Sequence, residues 1–281
     1  MSVTGELDPQ TARLPLRFLG NFRGWALLLV RAPRAAVPPA WRAPARLLGI
    51  GVPACVAVAG AMVLLDAPVI TAVGRLPVWV IDTFNFLTDF GTSDWFLVPI
   101  ALVLLVLAAL ASPGLTRLSR LIVTVFAVRL GFVFAAIALP GLFTTVIKRL
   151  IGRARPFIAG DANTFHFAPF SWRPEYASLP SGHATNVFAA LVAVGLVWPH
   201  LRMPMLIYAL IIAASRVIVL AHHPSDVIAG AMVGAVGALL VRDWFAARRL
   251  AFAIDPQGNV RALPGPSLFR LTAVARALLS A

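Results

Sequence analysis

The stretch Ala177–Pro199, "ASLPSGHATNVFAALVAVGLVWP", begins with small polar residues and continues as an almost unbroken apolar run. An apolar run of this kind is typical of a membrane helix. Ser181, Gly182 and His183 lie where the polar part meets the apolar part. Because the first turn of a helix leaves backbone N–H groups without partners, these residues predict a polar site at the mouth of the helix.

The composition indicates a polytopic membrane protein. Of the 281 residues, 60% are hydrophobic and 12% are charged, whereas soluble domains have about 45–50% apolar and about 25% charged residues. Such a chain cannot bury its apolar surface in one water-facing core, so lipid must cover much of it. The formal charge of +13 comes mostly from arginines near the ends of apolar segments, which favours anionic lipid head groups over nucleic acid. The single cysteine, Cys55, excludes an internal disulfide.

The hydropathy pattern predicts an all-α bundle of about six transmembrane helices, since a bilayer core about 30 Å thick needs roughly 20 apolar residues. This membrane domain is expected over residues 47–241, between an arginine-rich segment at 1–46 and a basic tail at 242–281. In the tail, 268–281 is predicted to form an amphipathic surface helix or a frayed end. The predicted spans are 47–65, 96–113, 122–147, 184–199, 203–221 and 225–241.

The distribution of arginine predicts that both termini are cytoplasmic. Arginines are concentrated in both flanking segments and in the loops after spans two and four, while the loop after span one is acidic. The positive-inside rule then sets the orientation. The scarcity of lysine and the lack of an organelle-targeting segment favour a bacterial plasma (inner) membrane. Residues 148–156 carry Lys148 and three arginines on the external side. The positive-inside rule does not explain these cations, so they are expected to have another role.

Three polar clusters meet on the external side of this topology. Each lies next to the end of a predicted span and contains cationic, hydroxyl or imidazole side chains. In the first cluster, Arg153 is expected to face away from the shared side of its neighbours. The clusters are KRLIGRARP at 148–156, PSGH at 180–183 and SRVIVLAHHPSD at 215–226.

Five residues of these clusters predict a phosphate-binding site. Lys148, Arg155 and Arg216 supply positive charge, and arginine presents forked donors that match phosphate oxygens. Lys148 and Arg155 are two helical turns apart and so share a helix face. Ser181 and Gly182 precede a helix whose free N–H groups and positive dipole end favour an anion.

The histidines predict nucleophilic catalysis. His222 and Asp226 are four residues apart, so a helical turn would bring imidazole and carboxylate together and leave the second ring nitrogen as the nucleophile. His183 would protonate the leaving oxygen and later activate water. His223 is the rival nucleophile, but it is not four residues from Asp226. A metal site at HHPSD is an alternative, although no further clustered carboxylate completes it in the sequence.

These motifs resemble those of the type 2 phosphatidic acid phosphatase (PAP2) superfamily. K-x6-R-P, P-S-G-H and S-R-x5-H-x3-D occur in the family's order and spacing, within a resemblance that covers roughly residues 47–241. The resemblance implies that His222 forms a phosphohistidine, Asp226 orients it and His183 is the acid, with no metal or other cofactor. The residues implied to bind phosphate are Lys148, Arg155, Ser181, Gly182 and Arg216.

The sequence therefore predicts a metal-independent phosphoric monoester or diphosphate hydrolase that acts on a lipid phosphate at the outer membrane face. Undecaprenyl diphosphate, phosphatidylglycerol phosphate, phosphatidate and lipid A phosphate all fit, and selectivity is expected from the 66–95 and 157–179 segments. A lipid phosphotransferase using the same histidine is one alternative. A phosphate-binding transporter is another, but it gives His222 and Asp226 no role. The sequence leaves the oligomeric state open.

Overall fold

The computed structural model describes residues 9–34, 44–111, 114–158, 160, 162 and 165–279. Within them the chain is largely α-helical, which confirms the predicted all-α membrane bundle. A short antiparallel hairpin, which was not predicted from the sequence, pairs Phe252 with Ala262. The elements are α1 (Pro9–Val30), α2 (Pro44–Leu64), α3 (Asp66–Val73), α4 (Val78–Asp89), α5 (Asp94–Leu110), α6 (Arg117–Ile151), α7 (Gly182–Val197), α8 (Arg202–Ile218), α9 (Pro224–Ala247), β1 (Phe252–Ile254), β2 (Val260–Ala262) and α10 (Leu268–Leu279).

Each of the six predicted spans overlaps one helix, but the helices differ in length. Helices α2 and α3 form a pair bent by 51°, and α7 has 16 residues. By length and composition the described residues contain four spans, or up to five if the bent pair crosses as one. The number six therefore stays a prediction. The four long apolar stretches are Val78–Leu110, Arg117–Ile151, Pro199–Ile218 and Pro224–Ala247.

The chain divides into two compact units. Their boundaries fall inside α5, α6 and α9, and the three-part division expected from the sequence stays a prediction. One unit comprises Met1–Ala36, Val98–Phe132 and Phe245–Ala281, and the other comprises Val37–Leu97 and Val133–Trp244.

In the first unit, the C-terminal tail forms the helix α10, while its predicted position on the membrane surface stays a prediction. Its residues Val274 and Leu278 are buried in a cluster with Ile122 and Val123 of α6. Helix α1 is tied to the same unit by Asn21, whose amide donates hydrogen bonds to two backbone carbonyls at the end of α5, at 2.9 and 2.7 Å. One apolar face of the tail helix is thus covered by protein.

In the second unit, α9 packs closely against α7 because it carries glycines at the contact. A Cβ at Gly230 would lie 2.4 Å from the carbonyl oxygen of Ser181, and one at Gly234 would lie 2.2 Å from that of Thr185. Small residues four apart allow the backbones of two membrane helices to approach in this way. The contact fixes the first turn of α7, which belongs to the second polar cluster, beside the start of α9, which carries the last three residues of the third cluster.

Candidate active site

The first turn of α7 carries the residues predicted to bind an anion. Ser181 is the N-cap of the helix; it is buried, and its N–H donates to the carbonyl oxygen of Asp226 at 2.9 Å. A Cβ added at Gly182 would lie 4.0 Å from the Lys148 Nζ atom. The Lys148 ammonium group therefore lies beside the N-terminus of α7. A bound anion would be close to both the ammonium charge and the positive end of the helix dipole.

The three predicted phosphate-binding cations carry donors that are not satisfied by the protein. Within the described residues, no salt bridge involves Lys148, Arg155 or Arg216. The Nε atoms of both arginines are buried and have no hydrogen-bond partner there. Burial, as the largest effect, lowers the pKa of the Arg155 guanidinium. Since a buried donor without a partner costs about 1–3 kcal/mol, an anion with several oxygen acceptors would stabilise this arrangement.

His183 lies among these cations. Its ring approaches the turn after α4, where a Cβ at Gly91 would come within 2.8 Å of the His183 Cδ2 atom. The groups that act on His183 electrostatically are Arg216, His222, Lys148 and Arg155. The three motifs expected to meet from their sequence positions are therefore brought together in the second unit.

His222 is held by a backbone carbonyl group. Its Nδ1 atom lies 2.8 Å from the Ser178 carbonyl oxygen, so Nδ1–H donates and Nε2 is left for a substrate. The Asp226 Oδ2 atom is 3.8 Å from the same Nδ1, which is too long for a hydrogen bond. Burial, partly opposed by Asp226, lowers the pKa of His222 to about 4. The ring is therefore neutral at neutral pH, as a nucleophile requires.

Ser178 was not singled out from the sequence, yet it connects His222 to Asp226. Its hydroxyl donates to the Asp226 Oδ2 atom at 2.6 Å, while its carbonyl accepts from His222. Its own N–H donates to the carbonyl oxygen of Arg153 at 3.1 Å. The carboxylate and the imidazole predicted to touch are thus linked through one serine.

Arg153 faces two buried carboxylates. Its Nη1 atom lies 2.6 Å from Asp226 Oδ1, and its Nη2 atom lies 2.7 Å from Asp66 Oδ2, with all three side chains fully buried. Asp66 was not predicted as a site residue. Its signal in the sequence was an acidic residue directly after an apolar run, since ionisable groups at membrane depth are functional by default.

His223, the rival nucleophile, is less accessible than His222. It is fully buried, whereas His222 is 4% exposed. Its N–H and Nδ1 atoms lie 2.9 and 3.3 Å from the Asp226 Oδ2 atom. Its Nε2 atom is buried and has no hydrogen-bond partner in the described part of the chain. This geometry favours His222 as the nitrogen that meets a substrate.

Helix α4, in the segment 66–95, contributes a direct contact to the site. The Arg216 Nη1 atom donates to the Thr88 Oγ1 atom at 2.6 Å, and the Ser215 hydroxyl donates to the same atom at 3.0 Å. The Tyr208 hydroxyl donates to the carbonyl oxygen of Phe90 at 2.6 Å. These bonds hold the end of α4 against α8, beside Arg216, which is predicted to bind phosphate.

The loop after α6 is tied at its base to the first motif. Gly152 has a φ of +63°, and a Cβ there would overlap the Ala168 carbonyl group, so the turn requires glycine. Ala168 N–H donates to the Gly152 carbonyl oxygen at 2.7 Å. Farther out, Phe170 and Trp172 are 72% and 82% exposed, as expected of aromatic residues at a membrane interface.

Comparison with known proteins places the chain in a family. Residues 129–250 match the PAP2 superfamily. The chain is 35% identical over 241 residues to the lipid A 1-phosphatase of Rhizobium johnstonii, covering 82% of this chain and 96% of that protein. It is 37% identical over 103 residues to the decaprenylphosphoryl-5-phosphoribose phosphatase of Mycobacterium tuberculosis, covering 34% of this chain and 50% of that protein.

Among solved structures, the chain is similar to a transmembrane PAP2 type phosphatidylglycerolphosphate phosphatase from Bacillus subtilis. The sequence identity is 18% and the TM-score is 0.39, over 80% of this chain and 94% of that one. The near-complete alignment with the Rhizobium protein, together with the superfamily match, shows the family. The chain therefore belongs to the PAP2 superfamily and is an integral membrane phosphatase.

Proposed function

We propose that this membrane phosphatase acts on lipid phosphates, with the 1-phosphate of lipid A as its substrate. The observation that carries the proposal is the 35% identity to a lipid A 1-phosphatase along 96% of that protein's length. The site chemistry supports it, because the Nε atoms of Arg155 and Arg216 are buried without a hydrogen-bond partner among the described residues, and such donors suit a phosphate group. The apolar surface of the helices suits a substrate that stays in the bilayer.

The reaction would proceed through a phosphohistidine. His222 Nε2 attacks phosphorus while the bond from phosphorus to the leaving oxygen breaks, and His183 gives a proton to that oxygen. The hydrogen bond from Nδ1–H to the Ser178 carbonyl fixes the tautomer that leaves the Nε2 lone pair available. His183 then takes a proton from water, whose oxygen attacks the phosphohistidine. Inorganic phosphate leaves, and His222 returns to its neutral form.

The cations would stabilise the charge on the phosphoryl group during both steps. Arg216 is buried, and Lys148 and Arg155 are partly buried; charge stabilisation by groups shielded from water is usually the largest contribution to catalysis. Ser181 and Gly182 add the N-terminus of α7. Because these groups are already in place, transfer of the phosphoryl group needs little reorganisation.

The site is proposed to face the outside of a bacterial inner membrane, with both termini in the cytoplasm. The arginine-rich segments at the two ends of the chain support this orientation through the positive-inside rule. The cations at 148–156 break that rule, and phosphate binding supplies the reason for their position. On this proposal the substrate belongs to the outer leaflet.

The test is phosphate release by purified protein in detergent, with a metal chelator present. The panel is lipid A, undecaprenyl diphosphate, phosphatidate and phosphatidylglycerol phosphate, and release is expected to be fastest from lipid A. His222→Ala should abolish release, while His200→Ala, which changes an exposed histidine, should keep it. Transfer of labelled phosphate to another lipid instead of water would establish a phosphotransferase. Phosphate binding without turnover of any lipid would contradict the proposal.

A further inference from the structure

We propose that Asp66 and Arg153 are positioning residues that set the charge beside His222. The inference rests on the proposed phosphohistidine reaction. Neither side chain meets the substrate in this scheme. Both act through Asp226, with which they form one fully buried network.

Asp66 is bound from several directions and reaches the site from α3. Its Oδ1 atom accepts from the Ser225 N–H at 2.9 Å, and its Oδ2 atom accepts from the Ser225 hydroxyl at 2.5 Å. The same Oδ2 accepts from Arg153 at 2.7 Å. The Ser225 hydroxyl also lies 2.7 Å from the Arg153 Nη1 atom. The first residue of α3 is thereby fixed to the first turn of α9, one residue before Asp226.

The charges in this network do not cancel. A guanidinium paired with one carboxylate would be neutral, but Arg153 is shared by Asp66 and Asp226. With both carboxylates ionised, the network carries one net negative charge at full burial. A buried charge of this kind is costly unless a positive group balances it.

Arg155 acts on Asp226 electrostatically, and the imidazole ring of His222 adds a second balancing charge when it bonds to phosphorus. At that moment the ring keeps its Nδ1 proton and becomes positively charged, 3.8 Å from the Asp226 Oδ2 atom. Because Asp66 takes up part of the Arg153 charge, more of the Asp226 charge remains for the ring. Without Asp66, the guanidinium and Asp226 would neutralise each other, and the phosphohistidine would lose stabilisation.

Asp66→Asn tests this, with kcat and KM measured on the lipid phosphate that the wild type hydrolyses. We expect kcat to fall about tenfold, the factor that corresponds to one unit of imidazole basicity, with little change in KM. The matched control is Asp243→Asn, since Asp243 is also buried and is also paired with an arginine, Arg242, at 2.6 Å. The control should keep near wild-type kcat.

The decisive variant is the double substitution Asp66→Asn with Arg153→Met. It removes one charge of each sign and restores the net negative charge on Asp226. We expect it to regain most of the kcat lost in Asp66→Asn. Thermal unfolding in detergent is measured for both variants before kcat is compared, because Arg153→Met leaves the buried Asp226 carboxylate without its guanidinium partner.

The outcomes separate the two proposals. If His222→Ala keeps wild-type kcat, the phosphohistidine reaction itself is wrong. If His222→Ala is inactive but the double variant is as slow as Asp66→Asn, or slower, then Asp66 and Arg153 only support the fold. The same conclusion follows if Asp243→Asn loses as much kcat as Asp66→Asn.

Discussion

The Nδ1–H group of His222 donates to the backbone carbonyl oxygen of Ser178 over 2.8 Å. A carbonyl oxygen cannot be titrated, so the tautomer of His222 is set by a group whose acceptor character does not change with pH. The Asp226 carboxylate then contributes charge at 3.8 Å and a second connection through the Ser178 hydroxyl. Orientation and electrostatic stabilisation are thus supplied by different groups.

Replacing Ser178 by alanine separates these two contributions. Ser178→Ala keeps the carbonyl that holds His222 and removes the hydroxyl that donates to Asp226 at 2.6 Å. A hydrogen bond to a charged group is worth about 1.5–3 kcal/mol, so we expect kcat to fall about tenfold with KM unchanged. Ser119→Ala, at a partly exposed serine in the first turn of α6, is the control in the same phosphate-release assay. An unchanged kcat in Ser178→Ala would show that the Ser178 hydroxyl does not couple Asp226 to His222.

Thr88 is expected to control substrate affinity through Arg216. Thr88→Val keeps the side-chain volume but removes the acceptor for the Arg216 Nη1 atom. We expect KM to rise about fivefold, because one hydrogen bond contributes about 1 kcal/mol, with a smaller effect on kcat. Thr88→Ser retains the hydroxyl and should behave like the wild type. Equal KM values in the two variants would contradict this role.

Stability should depend on pH through His222. Its pKa is about 4 in the folded protein, against an ordinary value of 6.5, so between these values the unfolded state binds more protons. The contribution of the neutral His222 ring to the free energy of unfolding is therefore complete above pH 6.5 and is lost as the pH falls toward 4. Thermal unfolding in detergent should show Tm falling more steeply over this interval for wild type than for His222→Gln. Parallel pH dependences would mean that the His222 pKa is not lowered.

The close packing of α7 on α9 should be sensitive to one methyl group. Gly230→Ala places a Cβ 2.4 Å from the Ser181 carbonyl oxygen, and overpacking of this kind costs about 1–3 kcal/mol. We expect a lower Tm together with weaker phosphate binding, because Ser181 must move. Gly60→Ala in α2 is the matched control, since a Cβ at Gly60 would have no neighbour within 4 Å. A loss of stability in Gly60→Ala and not in Gly230→Ala would show that α7 and α9 are not closely packed at Gly230.

The spacing rules predicted the helices and the motif residues, but not every contact between them. His222 and Asp226 were expected to meet across a helical turn. Helix α9 begins only at Pro224, so His222 lies before the helix and the four-residue rule does not set its geometry. The backbone carbonyl of Ser178 is closer, and a backbone acceptor leaves no signature in a sequence.

Contacts between distant segments were also beyond the reach of sequence patterns. Asp66 bonds to Ser225 across 159 residues, and Thr88 bonds to Arg216 across 128 residues. Periodicity describes neighbours within one helix and contains no information on such pairs. Arg153 was expected to face away from the phosphate-binding residues, and its buried partners explain that direction.

The length of α7 determines from where the two reactants arrive. Its 16 residues rise about 24 Å, at 1.5 Å each, against a hydrocarbon thickness of about 30 Å. With its C-terminal end at one face of the bilayer, the first turn lies several ångströms below the opposite face. On the proposed reaction, a lipid would reach His222 by sideways diffusion within its own leaflet, whereas the hydrolytic water would come from the aqueous phase. The proposed site would therefore lie at a depth where each reactant has its own route of entry.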